Sequence, residues 1–326
     1  MMDTVQRLLA GDQRTLSRAI SWLERGEAEA AQVMKAVDPF TGRAYTIGIT
    51  GPPGAGKSTV VGRLTELLRK EGLTVAIVAV DPTSPFSGGA LLGDRIRMQR
   101  HYLDSGVFIR SVATRGQTGG LPRIVKSIAR LLDAAGKDIV LVETVGVGQT
   151  ELGIMGVADT VLVVLTPESG DAIQALKAGM MEIADLYLVN KADREGANQM
   201  AAAITSMLQM APSQSGWDPP VLLTQAEAGG GIDHLWAKIQ EHREFLTSTS
   251  ELAARREARR RREFLETVEE ELNRRLRALI ESDVQLAALL DGITHKEEEP
   301  YSSAKELLES NSFPNSLLNP LLGTLD

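Results

Sequence analysis

Residues 45–59, Y-T-I-G-I-T-G-P-P-G-A-G-K-S-T, constrain the fold more than any other stretch of the chain. A short apolar run leads directly into the pattern G-x-x-x-x-G-K-S at 51–58, and a helical pattern follows it. Glycine residues let a backbone take positive φ and approach oxygen atoms closely. The stretch therefore predicts a strand, a phosphate-binding loop (P-loop) and a helix, in that order.

The predicted P-loop gives its residues particular roles. The loop N–H groups and the helix N-terminus are expected to point at the β-phosphate of a bound nucleotide. The Lys57 ammonium would reach the β- and γ-phosphates, and the Ser58 hydroxyl would bind Mg²⁺. The predicted nucleotide-binding residues of this loop are Gly51, Pro52, Pro53, Gly54, Ala55, Gly56, Lys57, Ser58 and Thr59.

Strand-like and helical patterns alternate between residues 44 and 246. Continuous runs of Val, Ile and Leu are typical of strands that are buried on both faces of a parallel sheet. We predict an α/β fold with a doubly wound, mainly parallel sheet that binds its ligand at the carboxyl ends of the strands. The predicted strands are Thr46–Thr50, Val75–Val80, Val107–Val112, Ile139–Val142, Thr160–Leu165, Tyr187–Val189 and Val221–Leu223.

An N-K-x-D pattern follows one of these strands and indicates which base is bound. Asp193 could accept hydrogen bonds from both N1–H and the exocyclic amine of guanine, and adenine has neither donor there. Asn190 could tie this loop to the P-loop, and the stem of Lys191 could cover the base. A second base loop is expected at Gln225 and Ala226, where a backbone N–H could meet the guanine O6.

Acidic residues near strand ends are candidates for a magnesium site. Mg²⁺ prefers oxygen ligands in octahedral geometry and keeps several waters, so a few carboxylates suffice. Asp81 and Glu143 each end a predicted strand, and Asp94 follows a Gly-Gly turn. With Ser58 they form the predicted metal site. A capping or salt-bridged carboxylate is the alternative interpretation for Glu143 and Asp94.

Composition excludes several classes of function. The chain has no cysteine, which excludes disulfides, thiolate metal sites and cysteine nucleophiles. The net charge of −8 argues against a general nucleic-acid binder. No apolar run reaches the ~18 residues that a membrane span needs, and the first residues lack a signal-peptide core. We expect a cytoplasmic protein with no nucleic-acid partner and no membrane partner.

Helical patterns flank the alternating region on both sides. We predict an N-terminal helical extension (1–43), a P-loop GTPase domain (44–246) and a C-terminal helical arm and tail (247–326). The arm carries a narrow apolar seam that suits helix–helix association, including between two chains. Its arginine run at 255–262 is interpreted as a solvated face, with nucleic acid or an acidic partner as the alternatives. The seam residues are Leu265, Val268, Leu272, Leu276 and Leu279.

With these residues identified, the chain resembles the MeaB/ArgK-type GTPases, the methylmalonyl-CoA mutase-associated proteins of the SIMIBI class of P-loop GTPases. The resemblance covers about residues 1–293. It rests on G-I-T-G-P-P-G-A-G-K-S-T (48–59), V-D-P-T-S-P-F-S-G-G-A-L-L-G-D-R-I-R-M (80–98), V-E-T-V-G-V-G-Q-T-E (142–151) and L-V-N-K-A-D (188–193).

The resemblance implies a chaperone for an adenosylcobalamin-dependent acyl-CoA mutase of the methylmalonyl-CoA type. It implies GTP/GDP and Mg²⁺ as cofactors and a homodimer formed through the C-terminal helices. Switch regions would lie at about 81–98, 143–151 and 167–179, and Lys177 would match a lysine tied to partner-stimulated hydrolysis. The chain departs from its relatives at Gln225, where they carry serine, and in the tail after Ile293.

The predicted catalytic residues are Lys57, Glu143, Lys177 and Gln149. Phosphoryl transfer needs mainly positioning and charge stabilisation, which Lys57 and the metal would supply. No residue is required by the pattern to orient the attacking water. Gln149 is the amide in reach, although it does not stand where the usual GTPase glutamine does. Slow intrinsic hydrolysis that a partner accelerates is therefore expected.

Two rival enzyme functions stay open at this point, beside one structural or DNA-partition role. A metal-insertion GTPase of the nickel or cobalt type would carry cysteine or histidine clusters, whereas this chain has no cysteine and four scattered histidines. A P-loop small-molecule kinase would not need the N-K-x-D loop. A structural or DNA-partition role would rest only on the arginine run.

Overall fold

The computed structural model describes residues 2–81, 99–113, 121, 124–144, 153–168, 183–210 and 216–309. The chain forms two compact units, residues 1–256 and 257–326. The three-part division drawn from the sequence remains a prediction. Within the described ranges, every helix is too short or too polar to cross a lipid bilayer.

A parallel sheet organises the first unit. Its strands are β1 (Tyr45–Thr50), β2 (Val75–Asp81), β3 (Val107–Ala113), β4 (Ile139–Glu143), β5 (Thr160–Leu165), β6 (Leu186–Asn190) and β7 (Val221–Thr224). Their order across the sheet is β3-β2-β4-β1-β5-β6-β7, with parallel pairing throughout. The loop after β1 thus lies at the centre of the carboxyl edge, where doubly wound sheets bind their ligands.

The predicted α/β fold is confirmed, and each predicted strand is present. Of the strands that continue past their predicted ends, three include a polar candidate site residue there: β2 includes Asp81, β4 includes Glu143 and β6 includes Asn190. The apolar pattern marks only the buried part of a strand, whereas backbone pairing continues to the edge of the sheet. All three polar residues are candidate site residues.

Helices cover both faces of the sheet. One apolar layer contains α1 to α3 with α5 and α6, and the other contains α4 and α7. Residues of one strand alternate between the layers: in β2, Val75 and Ile77 belong to the layer of α4, whereas Val78 and Val80 belong to the layer of α5. The helices are α1 (Met2–Leu9), α2 (Gln13–Arg25), α3 (Ala28–Val37), α4 (Lys57–Lys70), α5 (Ile124–Ala134), α6 (Ala197–Met210) and α7 (Ile232–Ser248).

The N-terminal helices cover one end of the sheet. The Asp12 carboxylate caps α2 by accepting from the Thr15 N–H at 2.8 Å, and Gly26 ends α2 at φ 67°. A half-buried ion pair between Glu24 of α2 and Arg110 of the edge strand β3 fixes α2 against the sheet. The N-terminal region therefore packs on the sheet, as its apolar stripe predicts.

The amino edge of the sheet is held by two arginines in the first turns of α8 (Glu251–Ser282). Arg256 forms a bidentate pair with the buried Asp159 carboxylate, at 2.6 and 3.1 Å. Arg255 donates to Asp185 at 3.0 Å. Each carboxylate also accepts a backbone N–H from a strand, so these two arginines do not belong to a fully solvated face.

The second unit contains the rest of α8 and two further helices, α9 (Val284–Thr294) and α10 (Pro300–Glu309). The predicted long helical region is interrupted at Asp283, whose carboxylate accepts from the first N–H groups of α9. Helix α10 lies in the tail after Ile293, for which the sequence predicts no separate helix. Residues 310–326 lie outside the described residues.

The long helix α8 is polar over most of its surface. None of the side chains of this fully described helix is buried, the predicted seam included. The Glu271 carboxylate pairs with Arg275, one turn further along the helix, at 2.7 Å, and with Arg274 at 2.6 Å. Hydrogen bonds from Arg274 and then Arg275 lower the pKa of Glu271 to about 2. Dimerisation through this helix stays a prediction.

Candidate nucleotide-binding site

The predicted P-loop connects β1 to α4 at the carboxyl edge of the sheet. Strand β1 ends at Thr50 and α4 begins at Lys57, so the loop spans the G-x-x-x-x-G segment between them. The strand–loop–helix context that the sequence predicts is therefore present. Phosphate binding by its residues remains a prediction.

Three glycines shape this loop, for different reasons. Gly51 has φ 135°, and a Cβ there would lie 2.0 Å from the carbonyl oxygen of Val164. Gly56 has φ 88°, and a Cβ there would lie 2.4 Å from the side-chain nitrogen of Asn190. Gly54 has φ 76° with no atom within 4 Å of that position. The first two are thus required by close packing, whereas Gly54 is required only by backbone conformation.

Lys57 opens α4 and is buried in the loop. Its ammonium donates to the carbonyl oxygens of Gly51 at 2.8 Å and Pro52 at 3.0 Å. These bonds hold the positively charged Lys57 ammonium against the backbone of the P-loop. A phosphate group with its negative oxygens is the ligand that such an arrangement suits.

The predicted metal ligands Ser58, Asp81 and Glu143 converge on the adjacent strand ends. The Ser58 hydroxyl donates to a carboxylate oxygen of Glu143 at 2.6 Å. Asp81 ends β2, two positions beyond the residue that pairs with Glu143 in β4. Asp81 and Glu143 are both buried, at 2% and 4% exposed. Hydroxyl and carboxylate oxygens are the donors that Mg²⁺ prefers, and metal binding by these residues remains a prediction.

The remaining predicted catalytic and metal residues, Asp94, Gln149 and Lys177, lie outside the described residues. Among the residues that are described, no group of three or more His, Cys, Asp or Glu side chains could hold a metal ion. Because Asp94 is the third predicted carboxylate, the complete predicted set cannot be assembled from the described ranges.

Asn190, at the end of β6, joins the two base loops to the P-loop. Its amide nitrogen donates to the Ala55 carbonyl oxygen at 2.9 Å, which is the link that the sequence predicts. Its amide oxygen accepts from the Thr224 hydroxyl at 3.2 Å and from the Ala226 N–H at 3.1 Å. The side chain is 3% exposed. One buried amide thus connects three loops.

Replacing Asn190 with alanine should lower the free energy of unfolding by about 2–3 kcal/mol, because three buried groups in two other segments lose their partner. Urea denaturation followed by circular dichroism measures this change. Thr224→Val is the matched control, since it removes only one of the hydrogen bonds and should cost about 1 kcal/mol. Equal costs for the two variants would contradict this account of Asn190.

The other predicted base residues surround the end of β6. Lys191 has φ 57°, a positive value that is uncommon outside glycine, and its ammonium lies 4.0 Å from a carboxylate oxygen of Glu168. Asp193 is exposed in the following turn. Gln225 donates its N–H to Gly230 at 2.9 Å, so the N–H groups of Gln225 and Ala226 both have protein acceptors in this structure.

The structure also brings together residues that the sequence did not indicate. The buried hydroxyls of Thr50 and Thr144 are 2.9 Å apart and join the ends of β1 and β4, directly beside the P-loop and Glu143. Arg63 of α4 donates to the carbonyl oxygen of Ala226 at 3.1 Å. The two threonines each adjoin a predicted motif, which is a usable signal, whereas nothing in the sequence singles out Arg63.

Comparisons with known proteins agree with this geometry. A family model described as "Methylmalonyl Co-A mutase-associated GTPase MeaB" matches residues 16–281. The chain is 45% identical over 315 residues to a putative GTPase of Pyrococcus horikoshii, a match that covers 94% of this chain and 97% of that protein. It is 36% identical over 260 residues to the GTPase ArgK of Escherichia coli, covering 77% and 78% of the two chains.

A solved structure with a similar fold matches nearly the whole chain. The crystal structure described as a LAO/AO transport system kinase has a TM-score of 0.72 and 29% sequence identity to this chain, and it covers 94% of this chain and 96% of that one. The comparisons favour neither of the rival functions drawn from the sequence. The chain belongs to the MeaB family of GTPases, and it is a GTP-hydrolysing enzyme.

Proposed function

We propose that this GTPase is a Mg²⁺-dependent chaperone for an adenosylcobalamin-dependent acyl-CoA mutase of the methylmalonyl-CoA type. GTP binding and hydrolysis would gate loading of the cofactor and protect the mutase. The family match over residues 16–281 carries this proposal, because the family is named for its association with methylmalonyl-CoA mutase. The P-loop and the buried Asn190 amide support guanine nucleotide as the ligand.

The P-loop residues would hold the phosphates. In the proposed complex the Lys57 ammonium leaves the Gly51 and Pro52 carbonyls and binds the β- and γ-phosphates. There it would stabilise the negative charge that is redistributed during phosphoryl transfer. The loop N–H groups stabilise the same oxygens. Gly51 and Gly56 allow this close approach because they carry no side chain.

Ser58, Asp81 and Glu143 would hold Mg²⁺, together with Asp94. When bound, the metal supplies positive charge that neutralises the phosphate oxygens. Glu143 already accepts the Ser58 hydroxyl, so this carboxylate holds the serine oxygen at the strand ends. Asp193 would accept from guanine N1–H and the exocyclic amine, and Lys191 would cover the base.

Partner control would act through residues outside the described ranges. We propose that the mutase orders the segment at 167–179 and brings Lys177 to the transferring phosphate, while Gln149 is the amide available to the attacking water. We also propose a homodimer through the C-terminal helices, which the exposed apolar positions of α8 support. No nucleic acid or membrane is part of this proposal.

We expect the pure chain to bind GTP and GDP with Mg²⁺, to bind ATP far more weakly, and to hydrolyse GTP slowly without a phosphate acceptor. A purified adenosylcobalamin-dependent mutase should accelerate release of inorganic phosphate. The Lys177→Ala variant should keep the intrinsic rate and lose the acceleration. Calorimetry and a phosphate-release assay, each with and without EDTA, measure these quantities.

Two results would contradict the proposal at different levels. Equal affinity for ATP and GTP would contradict the assignment of guanine. Nucleotide binding that is unchanged by EDTA would contradict the assignment of magnesium. Specific GTP hydrolysis that no such mutase accelerates would leave the GTPase intact and remove the chaperone role. Unchanged stimulation of Lys177→Ala would remove only the role given to that lysine.

A further inference from the structure

The second base loop is a closed structure in its own right. Gln225 and Gly230 exchange both backbone hydrogen bonds, at 2.9 and 3.1 Å, and the Gly229 N–H donates to Ala226 at 3.1 Å. Gly231 then has φ 83°, and a Cβ there would lie 2.6 Å from the Leu223 carbonyl oxygen. These hydrogen bonds close the loop from 225 to 231, and contacts with other segments orient it.

Arg63 attaches this loop to the P-loop helix α4. Its Nε donates to the Ala226 carbonyl oxygen at 3.1 Å, and its Nη2 donates to the Glu227 carbonyl oxygen. Its Nη1 pairs with Glu66, one turn further along α4, at 3.0 Å. Three directed bonds from one planar guanidinium determine where the two loop carbonyls point.

The Ala226 residue is therefore held on both sides. Its N–H donates to Asn190, and its carbonyl accepts from Arg63. Because the peptide unit is planar, fixing the Ala226 carbonyl also fixes the direction of the Glu227 N–H. The N–H groups of Gln225 and Ala226 already have protein acceptors, so the Glu227 N–H is the next donor along the loop for the predicted contact with guanine O6.

We propose that Arg63 is a positioning residue for recognition of the guanine O6, which it directs through the backbone at 226 and 227. This inference rests on the proposed GTP site. Guanine presents an oxygen acceptor at position 6, whereas adenine presents an amino group that would face the loop N–H groups as a second donor. When the loop is held in one orientation, adenine binds more weakly than guanine, because its amino group leaves the N–H donors of the loop without an acceptor.

The test compares nucleotides that differ at one position of the base. 6-Thio-GDP keeps N1–H and the 2-amino group of GDP but replaces O6 with a larger and weaker acceptor. IDP keeps O6 and N1–H but lacks the 2-amino group that Asp193 is expected to bind. Affinities of the full chain for GDP, 6-thio-GDP and IDP, measured by calorimetry, therefore report the two recognition contacts separately.

For Arg63→Ala we expect GDP affinity to fall about tenfold, with a much smaller loss for 6-thio-GDP. The preference for GDP over 6-thio-GDP should shrink towards one, while the preference for GDP over IDP should stay as in the wild type. Arg63→Lys, which can reach one carbonyl, should recover part of the first preference. Lys70→Ala removes an exposed cation from the same helix without touching Arg63, so it is the matched control and should change neither preference.

Equal losses for all three nucleotides would overturn the proposal, because they would mean a general effect on the site. A wild-type protein that does not distinguish GDP from 6-thio-GDP would also overturn it. Failure of the proposed GTP site is a different result, in which the wild type does not prefer GDP over ADP. Arg63→Gln is the second variant, used if thermal melting reveals that Arg63→Ala does not fold.

Discussion

Gly51→Ala is expected to lower the free energy of unfolding by at least about 4 kcal/mol and to abolish GTP hydrolysis. The new Cβ would lie 2.0 Å from the Val164 carbonyl oxygen, and that oxygen belongs to the backbone of the neighbouring strand β5. A side chain could move aside, but a buried backbone carbonyl cannot do so without distorting the sheet. The residue also has φ 135°, which strains any side chain.

Gly54→Ala is the matched control for this prediction. It places the same methyl group in the same loop at positive φ, but no atom lies within 4 Å of it. Its cost should be the backbone strain alone, about 1–2 kcal/mol. Urea denaturation of both variants and of the wild type measures the difference. A Gly51→Ala variant as stable as Gly54→Ala would mean that the P-loop does not approach β5 this closely.

Asp193→Asn should weaken GTP binding about 100-fold and should improve binding of xanthosine triphosphate. The aspartate is expected to accept two hydrogen bonds from guanine, and an asparagine can accept only one of them and then opposes the exocyclic amine with its own NH₂ group. Xanthine carries an oxygen in place of that amine, so it complements the asparagine. Competition against a fluorescent guanine nucleotide measures both affinities.

Glu195→Gln is the control for the specificity change, because it removes a nearby exposed carboxylate without altering the predicted base contact. That variant should keep its preference for GTP. If Asp193→Asn lost GTP without gaining the xanthosine nucleotide, the residue would stabilise the loop rather than read the base. If neither affinity changed, a different residue would recognise guanine.

The fold could be predicted from the sequence because its signals are local. Each buried strand is a continuous apolar run, and the order of strand, glycine-rich loop and helix at 45–59 fixes where the sheet binds a ligand. The contact of Asn190 with the P-loop was also predictable, since the loops that follow the parallel strands of one sheet all lie at its carboxyl edge. The sequence predicted that β2 and β4 end one residue before Asp81 and Glu143. The last paired residue of each strand is polar, so the apolar pattern stops before the strand does.

The contacts that depend on tertiary packing could not be predicted. Arg63 bonds to carbonyls of a loop that is 163 and 164 residues away in sequence, and any arginine on an amphipathic helix would look the same. The sequence required glycine at 51 for backbone conformation but carried no sign of Val164. The helix α10 was missed because its ten residues have weak apolar periodicity.

The buried amide of Asn190 has a consequence for the thermodynamics of ligand recognition. Since Ala55, Thr224 and Ala226 meet at this one side chain, the segments that would contact phosphate and base lose their conformational entropy when the chain folds. Association with a nucleotide then needs little further ordering there, and the enthalpy of the new contacts is opposed mainly by the ligand's own immobilisation. The predicted nucleotide site is therefore preorganised around Asn190.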